Sequence, residues 1–261
     1  SRNNYYFVVD SSVAGNYFFK VVSGRPDTQA ITATGIKVQL DKTAINVVAK
    51  AESLSGDEVA NGSWVNAQTN IYPNITSIGA SGIGAVYYKV NTGAGYGEYT
   101  LLPEDNYNVV ANANTTSLVG YIFKVVSNSG MEAESVEFTL GYDNIVPSVQ
   151  IAFAGAKLPE SNTYGDWYIT DINVQIVVTT GEGVTSLASG YKVFYQHKDN
   201  GQADYSEWMQ VESNFTLTDE TEKGGTDRYY QFKVVTGSGI EVVLEKTTDN
   251  TEYYLPIDTN K

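Results

Sequence analysis

Acidic and amide side chains cluster at several points of the chain where they could bind a cation. The candidates are Glu104, Asp105, Asn106, Asn108, Asp57, Glu58, Asp41, Asp143 and Asp258. Carboxylate and amide oxygens are the ligands that Ca²⁺ takes in proteins. We predict no required metal or other cofactor, and where Ca²⁺ does bind we expect it at Glu104, Asp105, Asn106 or Asp143. The alternative is that these side chains cap turns.

Aromatic side chains are the second group that could bind a ligand. The chain has 20 Tyr and 3 Trp, and an exposed ring can stack on a sugar. The candidates for glycan binding fall in predicted turns or on a predicted outer sheet, and they are Trp208, Tyr96, Tyr99, Tyr164 and Tyr205. The aromatic residues that recur between repeats are Trp64, Trp167, Tyr88 and Tyr195, which we interpret as packing residues.

Groups for catalysis are scarce. The sequence has one His, no Cys and no Gly-rich phosphate loop between a strand and a helix. No pair of carboxylates is both repeated and flanked by apolar residues that would raise a pKa. His197 lies in His-Lys-Asp-Asn-Gly, which we interpret as a turn, and we assign it no role. We predict that the chain is not an enzyme and has no catalytic residue.

The net charge of the chain argues against two kinds of partner. With 16 basic and 30 acidic residues the formal net charge is −14, which argues against nucleic acid and anionic membrane surfaces. No stretch of eighteen apolar residues occurs, so we predict no membrane insertion within this fragment. Abundant Asn, Thr, Ser, Gly and Tyr indicate a secreted, extracellular protein. A signal peptide or anchor is expected outside the fragment.

A strand motif positions these residues, because Tyr-x-Phe-Lys-Val-Val occurs three times. The copies are Tyr17–Val22, Tyr121–Val126 and Tyr230–Val235, with their lysines 104 and 109 residues apart. The motif is rich in aromatic and β-branched residues and predicts a strand. Alternation along the strand places Tyr and Phe inside and Lys outside. The spacing is that of one β-sandwich domain.

Further matches divide the chain into repeats. A Trp before a strand recurs at Trp64 and Trp167, Ser-Gly at residues 81–82 and 189–190, Gly/Ser-Glu-aromatic at 97–99 and 206–208, and a boundary Asp at 41, 143 and 258. We predict the C-terminal part of one repeat at 1–43 and whole repeats at 44–146 and 147–261. The partial repeat should have strands at 5–9, 17–22 and 35–40. It should be marginal alone because its edges are uncovered.

These residues resemble the bacterial Ig-like repeats of large cell-surface proteins of the adhesin type. The resemblance rests on the Trp, the Ser-Gly pair, the Tyr-x-Phe-Lys-Val-Val strand and the boundary Asp. It implies an all-β fold of tandem immunoglobulin-like or fibronectin-III-like β-sandwiches. Domains of this family sometimes carry a Lys–Asn isopeptide cross-link, which the outward Lys20, Lys124 and Lys233 do not favour.

We expect a non-catalytic structural or adhesive segment, a stalk of Ig-like modules in a bacterial surface protein. Its partners would be neighbouring repeats and a protein or glycan at the cell surface. A carbohydrate-binding module that uses exposed aromatics is one alternative. An accessory region of an extracellular enzyme is the other.

Overall fold

The computed structural model describes residues 13–17, 20–21, 31–32, 35–158, 167–180, 187–220, 225–246 and 250–259. Every regular element in these ranges is a β-strand, which confirms the predicted all-β class. Within the same ranges no helix could cross a membrane.

The N-terminal strands form two separate pairs. They are β1 Val13–Tyr17, β2 Lys20–Val21, β3 Ile31–Thr32 and β4 Ile36–Leu40. Strand β1 pairs with β4 and β2 with β3, both antiparallel. The prediction at 35–40 is confirmed as β4, whereas 5–9 and part of 17–22 lie outside the described residues.

Ten strands follow. They are β5 Asn46–Ser53, β6 Glu58–Val59, β7 Ser63–Val65, β8 Thr69–Ser77, β9 Ile83–Asn91, β10 Thr100–Leu101, β11 Val109–Ala111, β12 Val119–Ser127, β13 Glu132–Glu134 and β14 Phe138–Tyr142. One sheet has the order β11-β8-β5-β6. The other contains β10, β9 and β12 in that order with β13 also beside β12, and includes β14 paired in parallel with β7.

The last eight strands repeat this plan. They are β15 Ser148–Ala154, β16 Ile172–Thr179, β17 Tyr191–Asp199, β18 Met209–Val211, β19 Asn214–Leu217, β20 Arg228–Thr236, β21 Glu241–Val243 and β22 Tyr253–Tyr254. The sheets have the orders β15-β16-β19 and β18-β17-β20-β21, with β22 also beside β20. In both sets the first two long strands share a sheet and the third pairs with the Tyr-x-Phe-Lys-Val-Val strand. This is the arrangement of immunoglobulin-like and fibronectin-III-like sandwiches.

A long strand follows each recurring Trp after a gap of a few residues. Trp64 lies in the short strand β7, and the long strand β8 begins at Thr69, while β16 begins at Ile172. The rings of Trp64 and Trp167 lie against the backbone of Gly141 and Gly225. Trp64 also lies opposite Gly141 in the parallel pair of β7 with β14.

The two copies of Tyr-x-Phe-Lys-Val-Val that the structure describes in full, in β12 and β20, have the predicted alternation. In β20, Tyr230, Phe232 and Val234 are buried while the residues between them are half-buried. Phe232 is 0% exposed, and its ring lies 5.8 Å from that of Phe153 and 5.4 Å from that of Tyr253. Strand β12 buries the equivalent Tyr, Phe and Val. Burying such a side chain contributes about 1.5–3 kcal/mol.

The chain divides into two compact units. The first comprises Ser1–Asn61, Asn70–Val110 and Gly120–Thr139, and the second Gly62–Thr69, Ala111–Val119 and Leu140–Lys261. The predicted repeat boundaries at residues 43/44 and 146/147 stay predictions.

Truncating the buried phenylalanine should be costly. We expect Phe232→Ala to lower the free energy of unfolding by about 3–5 kcal/mol, because it leaves a cavity among rings that cannot collapse fully. Urea denaturation measures the loss. Val136→Ala, at a side chain that is 75% exposed, is the control, and equal losses in the two variants would contradict this core assignment.

Candidate functional site

Each sandwich carries a tight turn before its third long strand. In the first, the Gly82 N–H donates to the Gly79 carbonyl at 3.0 Å, and in the second the Gly190 N–H donates to the Leu187 carbonyl at 3.0 Å. Gly82 and Gly190 both have a φ of +72°, a left-handed conformation that glycine adopts without strain. The repeated Ser-Gly pair is therefore a conformational requirement of this turn.

The aspartate that precedes each sandwich binds this turn. The backbone N–H of Ser81 donates to Oδ2 of Asp41 at 2.8 Å. The backbone N–H of Ser189 donates to Oδ2 of Asp143 at 3.1 Å, and the hydroxyl of Ser189 donates to the same oxygen at 2.6 Å. The other carboxylate oxygen, Oδ1, accepts a hydrogen bond from the backbone N–H two residues later. The donor is Thr43 for Asp41 and Ile145 for Asp143. We call the aspartate and its Ser-Gly turn the linker latch.

The turn after the Tyr-x-Phe-Lys-Val-Val strand holds the latch from the opposite side. The N–H of Asn128 donates to the Gly82 carbonyl at 3.0 Å, and the N–H of Gly237 donates to the Gly190 carbonyl at 2.9 Å. A Cβ on Gly237 would lie 1.9 Å from the Ser189 carbonyl oxygen. Position 237 therefore accepts only glycine in this geometry, and the latch connects the linker to strand β20.

Hydrogen bonding stabilises the ionised carboxylate of Asp41 and satisfies the buried side chain of Asp143. The N–H of Ser81, followed by the hydrogen bonds of Thr43, holds the pKa of Asp41 well below its ordinary value of 3.8. Asp143 is 1% exposed, and a buried polar group costs free energy unless it is hydrogen-bonded. The three donors from Ser189 and Ile145 meet that need.

The Ca²⁺ candidates do not converge in the described part of the chain. No group of three or more His, Cys, Asp or Glu there could hold a metal ion. Glu104, Asp105 and Asn106 are exposed in the turn after β10. The oxygens of Asp143 accept hydrogen bonds in the latch. Ca²⁺ binding stays a prediction.

The other early acids also have local roles. Asp57 accepts the Ser55 hydroxyl at 2.6 Å, and Glu58 pairs with Lys50 at 2.9 Å. Asp258, the third boundary aspartate, is buried at 3% exposure, and its backbone N–H donates to the Tyr168 carbonyl at 2.9 Å.

The motif lysines cover aromatic rings. The Lys233 ammonium lies 4.7 Å from the Trp208 ring centre and 5.8 Å from that of Phe194. It also pairs with Glu241 at 3.1 Å. Lys124 lies equivalently over Tyr99 and Tyr87, at 4.9 and 5.1 Å. We call these groups the lysine–aromatic clusters, and a cation over a ring is favourable by about 0.5–2 kcal/mol.

A second lysine in each sandwich lies beside a tyrosine that is bonded to a glutamate. Lys198 lies 4.6 Å from the Tyr205 ring centre, and both side chains bind Glu252, at 2.7 and 2.8 Å. Lys89 lies over Tyr96, whose hydroxyl donates to Glu137. Burial, followed by Glu137, raises the pKa of Tyr96 to about 12. Burial, followed by Glu252, also raises the pKa of Tyr205.

The proposed glycan residues are therefore engaged within the protein. Trp208, Tyr99, Tyr96 and Tyr205 each have a lysine over the ring, and Tyr164 lies outside the described residues. Glycan binding by these rings stays a prediction. Sequence reasoning missed that Tyr96 and Tyr205 are equivalent. The signal was a shared Tyr-x-Glu-aromatic pattern at residues 96–99 and 205–208.

The prediction that His197 lies in a turn was wrong. Strand β17 pairs with β20 over nine residues, His197 lies opposite Tyr230, and the chain turns only after Asp199. The ring centre lies 5.9 Å from that of Tyr230 and 6.3 Å from that of Tyr195. Desolvation, followed by the charge of Arg228, lowers the pKa of His197 below 6.5.

The solved structures that are similar to this chain include the following three. Fibronectin(III)-like modules of CbhA from Clostridium thermocellum are 10% identical, with 80% of this chain and 93% of that chain covered and a TM-score of 0.35. The FN1–FN3 domains of chicken CNTN1 are 11% identical over 88% and 78%, with a TM-score of 0.34. Three N-terminal domains of the outer capsid protein Hoc of bacteriophage RB49 are 11% identical over 82% and 58%, with a TM-score of 0.29.

No protein-family model matches the chain, and no curated protein is significantly similar to it. We draw no functional conclusion from the three likenesses.

Removing the aspartate of the second latch should destabilise the fold. We expect Asp143→Ala to lower the free energy of unfolding by about 1.5–3 kcal/mol, because hydrogen bonds to a charged group are lost and the donors of Ser189 lose their partner. Chemical denaturation followed by circular dichroism measures this. Asp143→Asn, which keeps an acceptor, should lose less. Glu104→Ala removes an exposed carboxylate as the control, and an equal effect from it would contradict the latch.

Acid should destabilise the strand that carries His197. A histidine with a lowered pKa in the fold favours the neutral form, so its contribution is complete above the unfolded pKa of 6.5 and is lost as the pH falls towards the folded value. We expect the melting temperature to fall between pH 7 and pH 5, measured by thermal scans. In His197→Gln this part of the pH dependence should be absent. An unchanged profile in that variant would assign the titration to another group.

Proposed function

We propose that the chain is a non-catalytic, load-bearing segment of tandem Ig-like modules in an extracellular bacterial surface protein. In this role it spaces or presents an adhesive element. Its immediate partners are neighbouring modules of the same chain, and a protein or glycan at the cell surface is the distal partner.

The linker latch is the observation that carries this proposal. It occurs in both sandwiches with the same donor, the same acceptor and the same glycine conformation. A pull on the residues after β14 loads the hydrogen bonds between Asp143 and Ser189. The bond from Gly237 to Gly190 passes that load to β20, which is the central strand of its sheet.

The lysine–aromatic clusters suit a load-bearing role. Each joins neighbouring strands of one sheet, since Lys233 is on β20, Phe194 on β17 and Glu241 on β21. Such contacts between side chains add to the backbone hydrogen bonds of the sheet. They also keep the lysine side chains ordered, with Lys233 only 15% exposed.

Force spectroscopy of the full chain, held between marker domains, tests the proposal. We expect two discrete force peaks, one for each whole module, because each sandwich should unfold cooperatively. Asp143→Ala should lower the force of one peak and leave the other unchanged, and Glu104→Ala serves as the matched control. Smooth extension without peaks would overturn the proposal.

A further inference from the structure

The three strands of the sheet β15-β16-β19 contain no charged residue, and the exposed Asp171 and Glu212 lie just before β16 and β19. The residues exposed on the outer face of these strands are Ser148, Gln150, Ala152, Ala154, Asn173, Gln175, Val177, Asn214 and Thr216. The chain as a whole has 46 charged residues. We call this surface the amide face, because amide side chains are its main polar groups.

The register of the strands places four of these polar side chains next to one another. Gln175 lies opposite Ala152 on one side and Asn214 on the other, and Asn173 lies opposite Thr216. Neighbouring strands lie about 4.8 Å apart, and residues two apart on a strand lie about 6.8 Å apart. Asn173, Gln175, Asn214 and Thr216 therefore form a two-by-two array of side chains on a regular sheet.

These side chains are not used within the fold. The side chains of Gln150, Asn173, Gln175, Asn214 and Thr216 form no hydrogen bond with another residue in the described ranges. An amide side chain has two donor hydrogens and an acceptor oxygen, and a hydroxyl both donates and accepts. The array thus offers several donors and acceptors to an incoming ligand.

The other outer faces of the protein differ. The opposite sheet of the same sandwich carries the ion pairs of Lys198, Arg228 and Lys233. The corresponding sheet of the first sandwich carries the pair of Lys50 with Glu58. In the described part of the two sandwiches, β15-β16-β19 is therefore the sheet whose strands contain no charged residue.

We propose that the amide face binds a neutral polysaccharide. The hydroxyl groups of such a polymer both donate and accept hydrogen bonds, as the array requires, and the four side chains of the array carry no charge that binding would desolvate. The net charge of −14 disfavours anionic polymers. Trp208 and Tyr205, two of the candidate rings, lie instead beside Lys233 and Lys198 of the opposite sheet of this sandwich.

A second copy of the chain fits this face less well. Nine exposed side chains are fewer than the roughly 20–30 residues per side of a stable protein interface. Two copies would also bring together the same negative charge.

Affinity electrophoresis of the full chain tests the proposal with neutral glucans, mannans and xylans, and with a polyuronic acid for comparison. We expect at least one neutral polymer to retard the protein and the polyuronic acid not to. The double variant Asn173→Ala, Gln175→Ala should weaken that binding by at least about tenfold, because it removes several hydrogen bonds at once. Both residues are exposed, so the melting temperature should not change.

Trp208→Ala is the matched control and should bind as the unaltered chain does. Loss of binding in this variant but not in the double variant would assign glycan binding to the rings and overturn the proposal. Absence of binding to every neutral polymer would also overturn it. Dimers in sedimentation that dissociate on Gln175→Lys would assign the face to a second copy instead. None of these outcomes alters the expected force peaks, so the two proposals fail separately.

Discussion

Satisfying the linker carboxylate is the constraint on which the rest of this structure depends. Asp143 is almost fully buried, and a charge taken out of water must be hydrogen-bonded. The Ser-Gly turn supplies donors only because Gly190 adopts a left-handed conformation and Gly237 leaves room for the Ser189 carbonyl. The hydrogen bonds of Asp143 thus require Gly190, Gly237 and Ser189 together, and these bonds fix the position of Asp143 on the module.

The lysine side chains also interact with groups that lie close to them in the fold. The chain has 16 basic residues against 30 acidic ones, and several lysines lie over rings and beside glutamates at 15–24% side-chain exposure. Each exposed pair contributes at most about 1 kcal/mol. Their larger effect is to order the outer face of a sheet that has no hydrophobic cover, because the lysine stem packs on the ring while the ammonium meets a carboxylate.

Features that depend on neighbouring residues could be predicted from the sequence, whereas features that depend on residues far apart in the chain could not. The strand at Tyr230–Val235 was predictable because alternation is local. The boundary aspartates were visible as repeats, yet their partner was not, since Ser189 lies 46 residues beyond Asp143. His197 was misplaced for the same reason. The residues His-Lys-Asp-Asn-Gly have the composition of a turn, but pairing with β20 extends the strand through Asp199.

The two sheets of the last sandwich differ in how much of their outer face is already occupied by contacts within the protein. The sheet that contains β20 holds the linker and has its outer face occupied by ion pairs and rings, so little of it is available to a partner. The sheet β15-β16-β19 contributes Ile172, Val174 and Ile176 to the core and leaves its outer face unused. Because side chains alternate along a strand, the outer residues can vary without altering the core. Substitutions on this outer face should therefore change the stability of the module less than substitutions among the contacts on the sheet that contains β20.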